Sequence, residues 1–538
     1  MRLINEVSQE KLRGGFYTPE NIADFMLKWA LFGKEKSTIF EPSCGDGVFL
    51  DALKNGDFNY KSMLGLELDA IEAKKAAAIK PKKSQVVCED FYSFYSKDKK
   101  FDVIVGNPPY IRYQFFKEHQ KKAAGEIFKD AGLKYSKLTN AWVSFVVGSS
   151  LMLEDDGRMA FVLPAEILQV SYAKQLREYL AHFYNKINII SFEKLVFPHI
   201  QQEVVLLLCE KDGSDTHTIE HIELIDADGL LDLELEKLDR PQKRIDFKAN
   251  KWTFYFLDQK EIDLIEKIQD EGLVPKLGEY AKVEVGITTG SNSFFTVSRA
   301  VVEKYNLQEY AHPLVGRSIQ VPSPIFTRQD WQDNIDKDAR AYILTFPTIE
   351  ALKGSDGALD YIKYGESTGI HNGYKNRIRP EWQIVPSIRT SQALFIRRNN
   401  LYPKLVINEA DAYTTDTMHR VTPKQEINLK AMTASYYNSL SLAFSEISGR
   451  SHGGGVLELM PSEVEDILLP YDIDNANLLP IIENSIRAKE SIGTLLEKTD
   501  KYILEDKFGF TKSEIKTLNN IWLKLMNRRL NRGKKTVS

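Results

Sequence analysis

The chain has 538 residues, long for one domain, and its 43% hydrophobic content leaves material for more than one core, so two or three domains are expected. Lys and Arg number 71 against 75 Asp and Glu, a formal charge of −4, which excludes a whole-protein basic field; nucleic-acid binding has to come from local patches. Cys44, Cys88 and Cys209 show no CxxC spacing, which argues against a zinc site or a disulfide framework and fits a reducing compartment. With no signal segment and no apolar run of about 18 residues, a soluble cytoplasmic protein without a membrane span or a metal is expected.

After a short polar lead, Tyr17-Thr18-Pro19-Glu20 precedes an amphipathic run through Trp29, with Thr18 a candidate N-cap and Pro19 at the first helical position. From residue 37 to about 210, short apolar strands alternate with helical segments, the mark of an α/β fold with a parallel sheet. Strands are predicted at 37–41, 62–67, 85–88, 101–106, 158–163, 187–192 and 203–209, and helices at 46–55, 69–80, 140–153 and 171–183. The polar, Lys-rich segment 114–138 reads as a loop or lid. Charge rises and periodicity fades between about 211 and 250, which suggests an interdomain connection or small β elements. Past 275, glycines, aromatics and arginines interrupt β-like runs at 281–286, 294–297, 341–345 and 404–408, predicting an irregular mixed domain. From about 476 the pattern is helical, with Ile482, Ile486, Leu496 and Ile503 near one face, and Arg528, Arg529, Arg532, Lys534 and Lys535 make the end basic, reading as a solubilising helix end with phosphate contact as the alternative. Domains are therefore expected at 1–245, 246–475 and 476–538, the last being part of, or packed on, the second.

The chemistry lies at the ends of the first four predicted strands. Glu41-Pro42-Ser43-Cys44-Gly45-Asp46-Gly47 is a strand end and a glycine turn leading into a helix, suited to close backbone approach by a ligand. The second strand ends in Glu67-Leu68-Asp69, about twenty residues on, where an acid can hold two ribose hydroxyls. The third ends in Glu89-Asp90-Phe91, an acceptor and an aromatic ring suited to an adenine. The fourth, Phe101 to Gly106, stops at Asn107-Pro108-Pro109-Tyr110. Two prolines stiffen that turn and supply no N–H, leaving an acceptor-rich edge beside an aromatic ring. In an open α/β sheet all four face one crevice. The turn at Gly45 and Gly47 lacks the third glycine of a dinucleotide site, so an adenosine ligand without a pyrophosphate fits better. Each piece has a plainer reading: a strand–helix turn, helix caps at Glu67 and Asp90, and an Asn-Pro turn.

Taken in order, these motifs resemble those of the class I, S-adenosylmethionine-dependent N6-adenine DNA methyltransferases, gamma class, of restriction–modification systems. The resemblance implies a Rossmann-like methyltransferase domain with a mixed, mainly parallel sheet, followed by an irregular mixed α/β target-recognition domain and C-terminal helices. It implies that Tyr17, Thr18 and Pro19 close over the methionine part of the cofactor, S-adenosylmethionine, and that Glu41, Pro42, Ser43, Cys44, Gly45 and Gly47 form the first cofactor motif. Glu67 with Leu68 would meet the ribose, Asp90 the cofactor adenine amine, and Phe91 and Phe145 its ring. Asn107, Pro108, Pro109 and Tyr110 would be catalytic, with Asn107 also against the cofactor, and Tyr110 and Phe197 would stack on a flipped target base. Asn at the first position of the tetrapeptide favours adenine N6 over cytosine N4.

The second half carries basic residues among Tyr, Asn and Gly, a mix that neutralises phosphates and reaches base edges. Arg377, Arg379, Arg389, Arg397, Arg398, His452, Gly453 and Gly454 are the candidates for contact with double-stranded DNA; the plainer reading is a solvated face. A monomer is expected, with a separately encoded restriction endonuclease as a cognate partner. Two rival readings stand beside this one. Enzymes that methylate RNA or protein glutamine carry the same tetrapeptide, and a DNA-binding specificity subunit would lack activity of its own.

Overall fold

The computed structural model describes residues 18–136, 139–197, 203–234, 238, 243–247, 251–452 and 454–532. Tyr17 and Gly453 lie outside them, as do Lys534 and Lys535 of the basic end. The chain divides into two compact units between Ile262 and Asp263.

The first unit opens with α1 (Glu20–Leu31), whose apolar face buries Ile22, Phe25, Met26 and Trp29. Then come β1 (Ser37–Glu41), α2 (Val48–Asn55), β2 (Tyr60–Glu67), α3 (Ala70–Ile79), β3 (Ser84–Cys88), a single helical turn Phe91–Phe94, and β4 (Phe101–Gly106). There follow α4 (Glu118–Asp130), α5 (Ala141–Leu151), β5 (Leu153–Pro164), α6 (Lys174–Phe183), β6 (Lys186–Phe192), β7 (Val204–Glu210), β8 (Thr218–Leu224) and β9 (Lys243–Arg244). The strands form one sheet in the order β3-β2-β1-β4-β5-β7-β6-β8-β9. β3 through β5 run parallel, β7 is antiparallel to both β5 and β6, and β8 is parallel to β6.

The sheet is covered on both faces, which explains why its central strands are nearly continuous apolar runs. Ile39, Val103 and Val105 pack with α1 and α2, while Phe40, on the opposite face, lies between the rings of Phe94 and Phe101 at 5.4 and 4.6 Å. Helix α5, apolar all round, is buried from Ala141 to Ser150. Arg158 of β5 is a buried cation of this unit. It pairs with Glu210 at 2.9 Å and donates to the carbonyls of Trp29 and Phe32 at the end of α1, satisfying a helix terminus with a side chain.

Two sequence expectations change here, and one open alternative is decided. Segment 114–138 contains helix α4 rather than a plain loop, because Ala124, Ile127 and Phe128 recur at helical spacing and are buried despite the surrounding lysines. Of the two readings of 211–250, the small β elements hold: residues 218–224 and 243–244 are strands that extend the main sheet. In run 294–297 only Thr296–Val297 is a strand, since Asn292–Phe295 forms a helical turn.

The second unit holds a five-stranded sheet of 281–285, 418–423, 393–396, 405–408 and 325–326, in that order, and two three-stranded sheets. Its C-terminal part supplies helices Leu479–Arg487, Ile492–Asp500 and Lys512–Arg532. The basic end is in part internal. Arg529 is buried against Glu446 at 2.6 Å and donates to the carbonyls of Asn400 and Gly455, so it is a packing element and not a solubilising charge. Among the described residues no helix is long and apolar enough to cross a membrane, and no cluster of His, Cys, Asp and Glu has the makings of a metal site.

Candidate active site

The C-terminal ends of β1, β2, β3 and β4 are neighbours in the sheet, and each carries one predicted group. At β1, Glu41 is 1% exposed, and its Oε2 has no hydrogen-bond partner among the described residues. Burial, with the nearby charges of Glu67 and Asp46 adding to it, pushes its carboxyl well above the ordinary range. The turn that follows reverses at Gly45 and at Gly47, which has φ +99°. A Cβ at Gly47 would lie 2.6 Å from Ile79 Cδ1 and 3.0 Å from Ala76 Cα, so glycine is required both by the backbone and by the packing of α3.

Glu67 reaches across from β2 to brace this turn. Its Oε2 accepts from Gly45 N at 2.9 Å and its Oε1 from Asp69 N at 2.8 Å. Burial raises its carboxyl, and those two hydrogen bonds oppose the rise. Asp69 caps α3, which leaves Glu67 outside the capping role. Leu68 is 55% exposed beside it. At β3, Asp90 caps the Phe91–Phe94 turn through Tyr92 N at 3.1 Å, while its Oδ2 accepts from Gln120 Nε2 at 3.0 Å and meets His119 Nε2 at 3.2 Å. The rings of Phe91 and Phe145 are stacked with centroids 4.3 Å apart, both largely buried.

At β4, Asn107 is held from two sides. Its Nδ2 donates to Thr18 Oγ1 at 3.2 Å, and its backbone carbonyl accepts from Ser43 Oγ at 3.3 Å. The Thr18 hydroxyl therefore serves Asn107 and does not cap α1, where Pro19 occupies the capping position without a side-chain bond. Tyr110 donates from its hydroxyl to the Val162 carbonyl of β5 at 3.1 Å, which fixes the ring. Phe197, 6% exposed, belongs to the apolar cluster against which Tyr110 packs. The site thus offers a buried carboxylate at Glu41, half-buried ones at Glu67 and Asp90, an anchored amide, a proline carbonyl and aromatic rings, a set suited to holding a cationic nucleoside and a planar amine. Gln120 and His119 escaped the sequence reading, which held no signal for them, since Lys117 at the N-cap is not one of the Ser, Thr, Asp or Asn residues that mark a helix start.

In the second unit the structure gathers Arg397, Arg398 and His452 around Glu458, at 3.0, 2.9 and 2.9 Å. Burial raises the Glu458 carboxyl, but the Arg398 hydrogen bond and the three neighbouring charges outweigh it and leave it below the ordinary value. Arg377 lies exposed on a helical turn, and Gly454 is in the left-handed region. The other candidates are elsewhere. Arg389 pairs with Glu284 at 2.5 Å, and Arg379 donates to the carbonyls of Thr288, Thr289 and Trp382.

Two family models match the chain. One, described as Eco57I restriction-modification methylase, covers residues 33–197, and the other, Type II methyltransferase M.Eco57I, C-terminal domain, covers 249–504. The chain is 26% identical over 525 residues to Type II methyltransferase M.AccI of Acinetobacter calcoaceticus, spanning 92% of this chain and 94% of that one. It is 22% identical to Type II methyltransferase M.XamI of Xanthomonas campestris pv. amaranthicola, over 85% of each. Among solved structures, a nuclease-deletion mutant of the Type ISP restriction-modification enzyme LlaGI, in complex with a DNA substrate mimic, shares the fold. The TM-score is 0.50 at 13% identity, over 86% of this chain and 46% of that one.

Proposed function

The chain belongs to the Eco57I restriction–modification methylases, a family of DNA methyltransferases, and from that premise we propose that it methylates the exocyclic N6 amine of adenine at a defined site in double-stranded DNA. Its cofactor is S-adenosylmethionine, which when bound supplies an electrophilic methyl group. The residues present fit it. The unpartnered buried oxygen of Glu41 offers a counter-charge to an ammonium, and Glu67 keeps lone pairs for ribose hydroxyls while bracing Gly45. Asp90 would accept from the adenine amine, with Leu68, Phe91 and Phe145 as apolar surface. Thr18, Pro19, Pro42, Ser43, Cys44 and Gly47 complete the binding set.

The observation that carries the choice of a planar amine is the anchoring of Asn107. Because Nδ2 is engaged by Thr18, the amide oxygen points the other way, as an acceptor. With the Pro108 carbonyl it would accept both amino hydrogens of the target and favour a tetrahedral nitrogen with its lone pair directed out of the ring plane. Positioning then supplies most of the rate. Extruding the base costs a few kcal/mol, and stacking on Tyr110 and Phe197 offsets about 1–3 kcal/mol per contact. In the second unit Arg377, Arg397, Arg398, His452 and Gly454 are the contacts we assign to DNA. Methylation of this kind would protect host DNA from a cognate endonuclease.

Modified-base sequencing of DNA from cells expressing the chain tests the reading. N6-methyladenine at one recurring sequence is expected. Cytosine methylation, or transfer only to RNA or protein acceptors, would overturn it.

A further inference from the structure

We propose that Gln120, on helix α4, is a positioning residue for cofactor recognition: it holds the Asp90 carboxylate so that one acceptor site faces the cofactor's purine. The inference rests on the assignment of Asp90 to the adenine amine.

The Gln120 side-chain amide is fixed at both ends. Its Oε1 accepts from Lys117 N at 3.0 Å and its Nε2 donates to Asp90 Oδ2 at 3.0 Å, so turning the amide over would break both bonds. Helix α4 is itself anchored by the buried Ala124, Ile127 and Phe128, and a second link, Tyr95 Oη to Asp130 Oδ2 at 3.0 Å, ties its far end to the chain just past the Phe91–Phe94 turn. The Asp90 carboxylate is therefore referenced to a packed helix as well as to its own strand.

The count of acceptor sites follows from this. An ionised carboxylate accepts about four hydrogen bonds. Tyr92 N takes one on Oδ1, and Gln120 with His119 takes two on Oδ2. What is left lies on Oδ1, in an orientation set by three contacts. A fixed acceptor of this kind rewards a purine that presents an N–H at position 6 and opposes one that presents a carbonyl oxygen there. A site built for one hydrogen-bonding partner rejects an analogue lacking it far more strongly than an apolar pocket does. Without Gln120, Asp90 loses one of the three contacts that set its orientation, and the selection weakens.

The test measures the dissociation constants of S-adenosylhomocysteine and its 6-oxo counterpart, S-inosylhomocysteine, with the full chain. Wild type is expected to prefer the adenine form by more than about tenfold. Gln120→Leu should cut that preference severalfold and raise KM for the cofactor more than it lowers kcat. Gln120→Glu keeps the acceptor for Lys117 N but places a second carboxylate against Asp90, so it should lose the preference with the helix start intact, as thermal unfolding would verify. An unchanged preference in a folded Gln120→Glu protein overturns the proposal. Asp90→Ala separates the two levels: if it too keeps the wild-type preference, the assignment of Asp90 has failed, whereas if it alone loses the preference, only the role of Gln120 has.

Discussion

The hydroxyl of Thr18 and the amide nitrogen of Asn107, 89 residues apart in sequence, are joined by a hydrogen bond of 3.2 Å. Replacing Thr18 with Val preserves shape and removes the acceptor. A lost hydrogen bond of this kind is worth about 1–1.5 kcal/mol, so kcat should fall roughly tenfold. Thr18→Ser, which restores a hydroxyl, should recover most of it. Asn107→Ala should abolish methyl transfer while leaving cofactor binding nearly intact. Transfer of labelled methyl groups to DNA checks all three, and wild-type turnover in Asn107→Ala would remove that residue from the chemistry.

Glu41 yields a prediction of opposite sign for stability and binding. Its carboxyl is raised by burial and by the charges of Glu67 and Asp46. The folded cofactor-free state therefore holds its proton to a higher pH than the unfolded chain. The stability this contributes is complete below the unfolded value of 4.5 and declines as pH rises through the folded one. Glu41→Gln should accordingly raise the Tm of the cofactor-free protein at neutral pH. It should also weaken S-adenosylmethionine binding about tenfold or more by removing a charge-assisted hydrogen bond. A lower Tm without cofactor would contradict the account.

How much of this was legible in the sequence depended on how local the cause was. Strands β1 to β4 were readable because each is a short apolar run stopped by a glycine, proline or acid. The groups at their ends could be ranked because the sheet puts strand ends in one row. Helix α4 was not, since only three residues of its apolar face stand among lysines. Nor was the Thr18 bond, because the Thr-Pro pair reads equally well as a helix cap. In the second unit, composition does not distinguish an arginine that braces a loop from one that meets a ligand. The difference lies in partners such as Thr288 and Thr289, about ninety residues from Arg379.

That distinction is measurable. Arg379 satisfies three backbone carbonyls, and its guanidinium is partly withdrawn from water, so Arg379→Ala should lower Tm by several degrees. Arg398, with a side chain 66% exposed, pairs with the buried Glu458, which keeps Arg397 and His452 as partners, so Arg398→Ala should lower Tm less than Arg379→Ala does. If Arg398 contacts a DNA phosphate, its loss should reduce the slope of log affinity against log salt by about one. An unchanged slope would take Arg398 out of the interface.

The last prediction concerns a carboxylate far from the chemistry. Asp500, 5% exposed, accepts from Ser439 N at 2.7 Å and from Ser439 Oγ at 2.6 Å. Burial outweighs those two hydrogen bonds and lifts its carboxyl from 3.8 to about 6. The folded state consequently binds more protons than the unfolded state between those values, and stability falls as pH rises from about 4 to about 6. The full effect is on the order of 3 kcal/mol. Asn at this position keeps an acceptor for Ser439 N and offers the hydroxyl a donor, with no charge to desolvate. Asp500→Asn should thus flatten this part of the profile and raise Tm above pH 6, where wild type carries the buried ion. Urea unfolding of both proteins across pH 4 to 7 tests it, and parallel profiles would show that Asp500 does not titrate in this window.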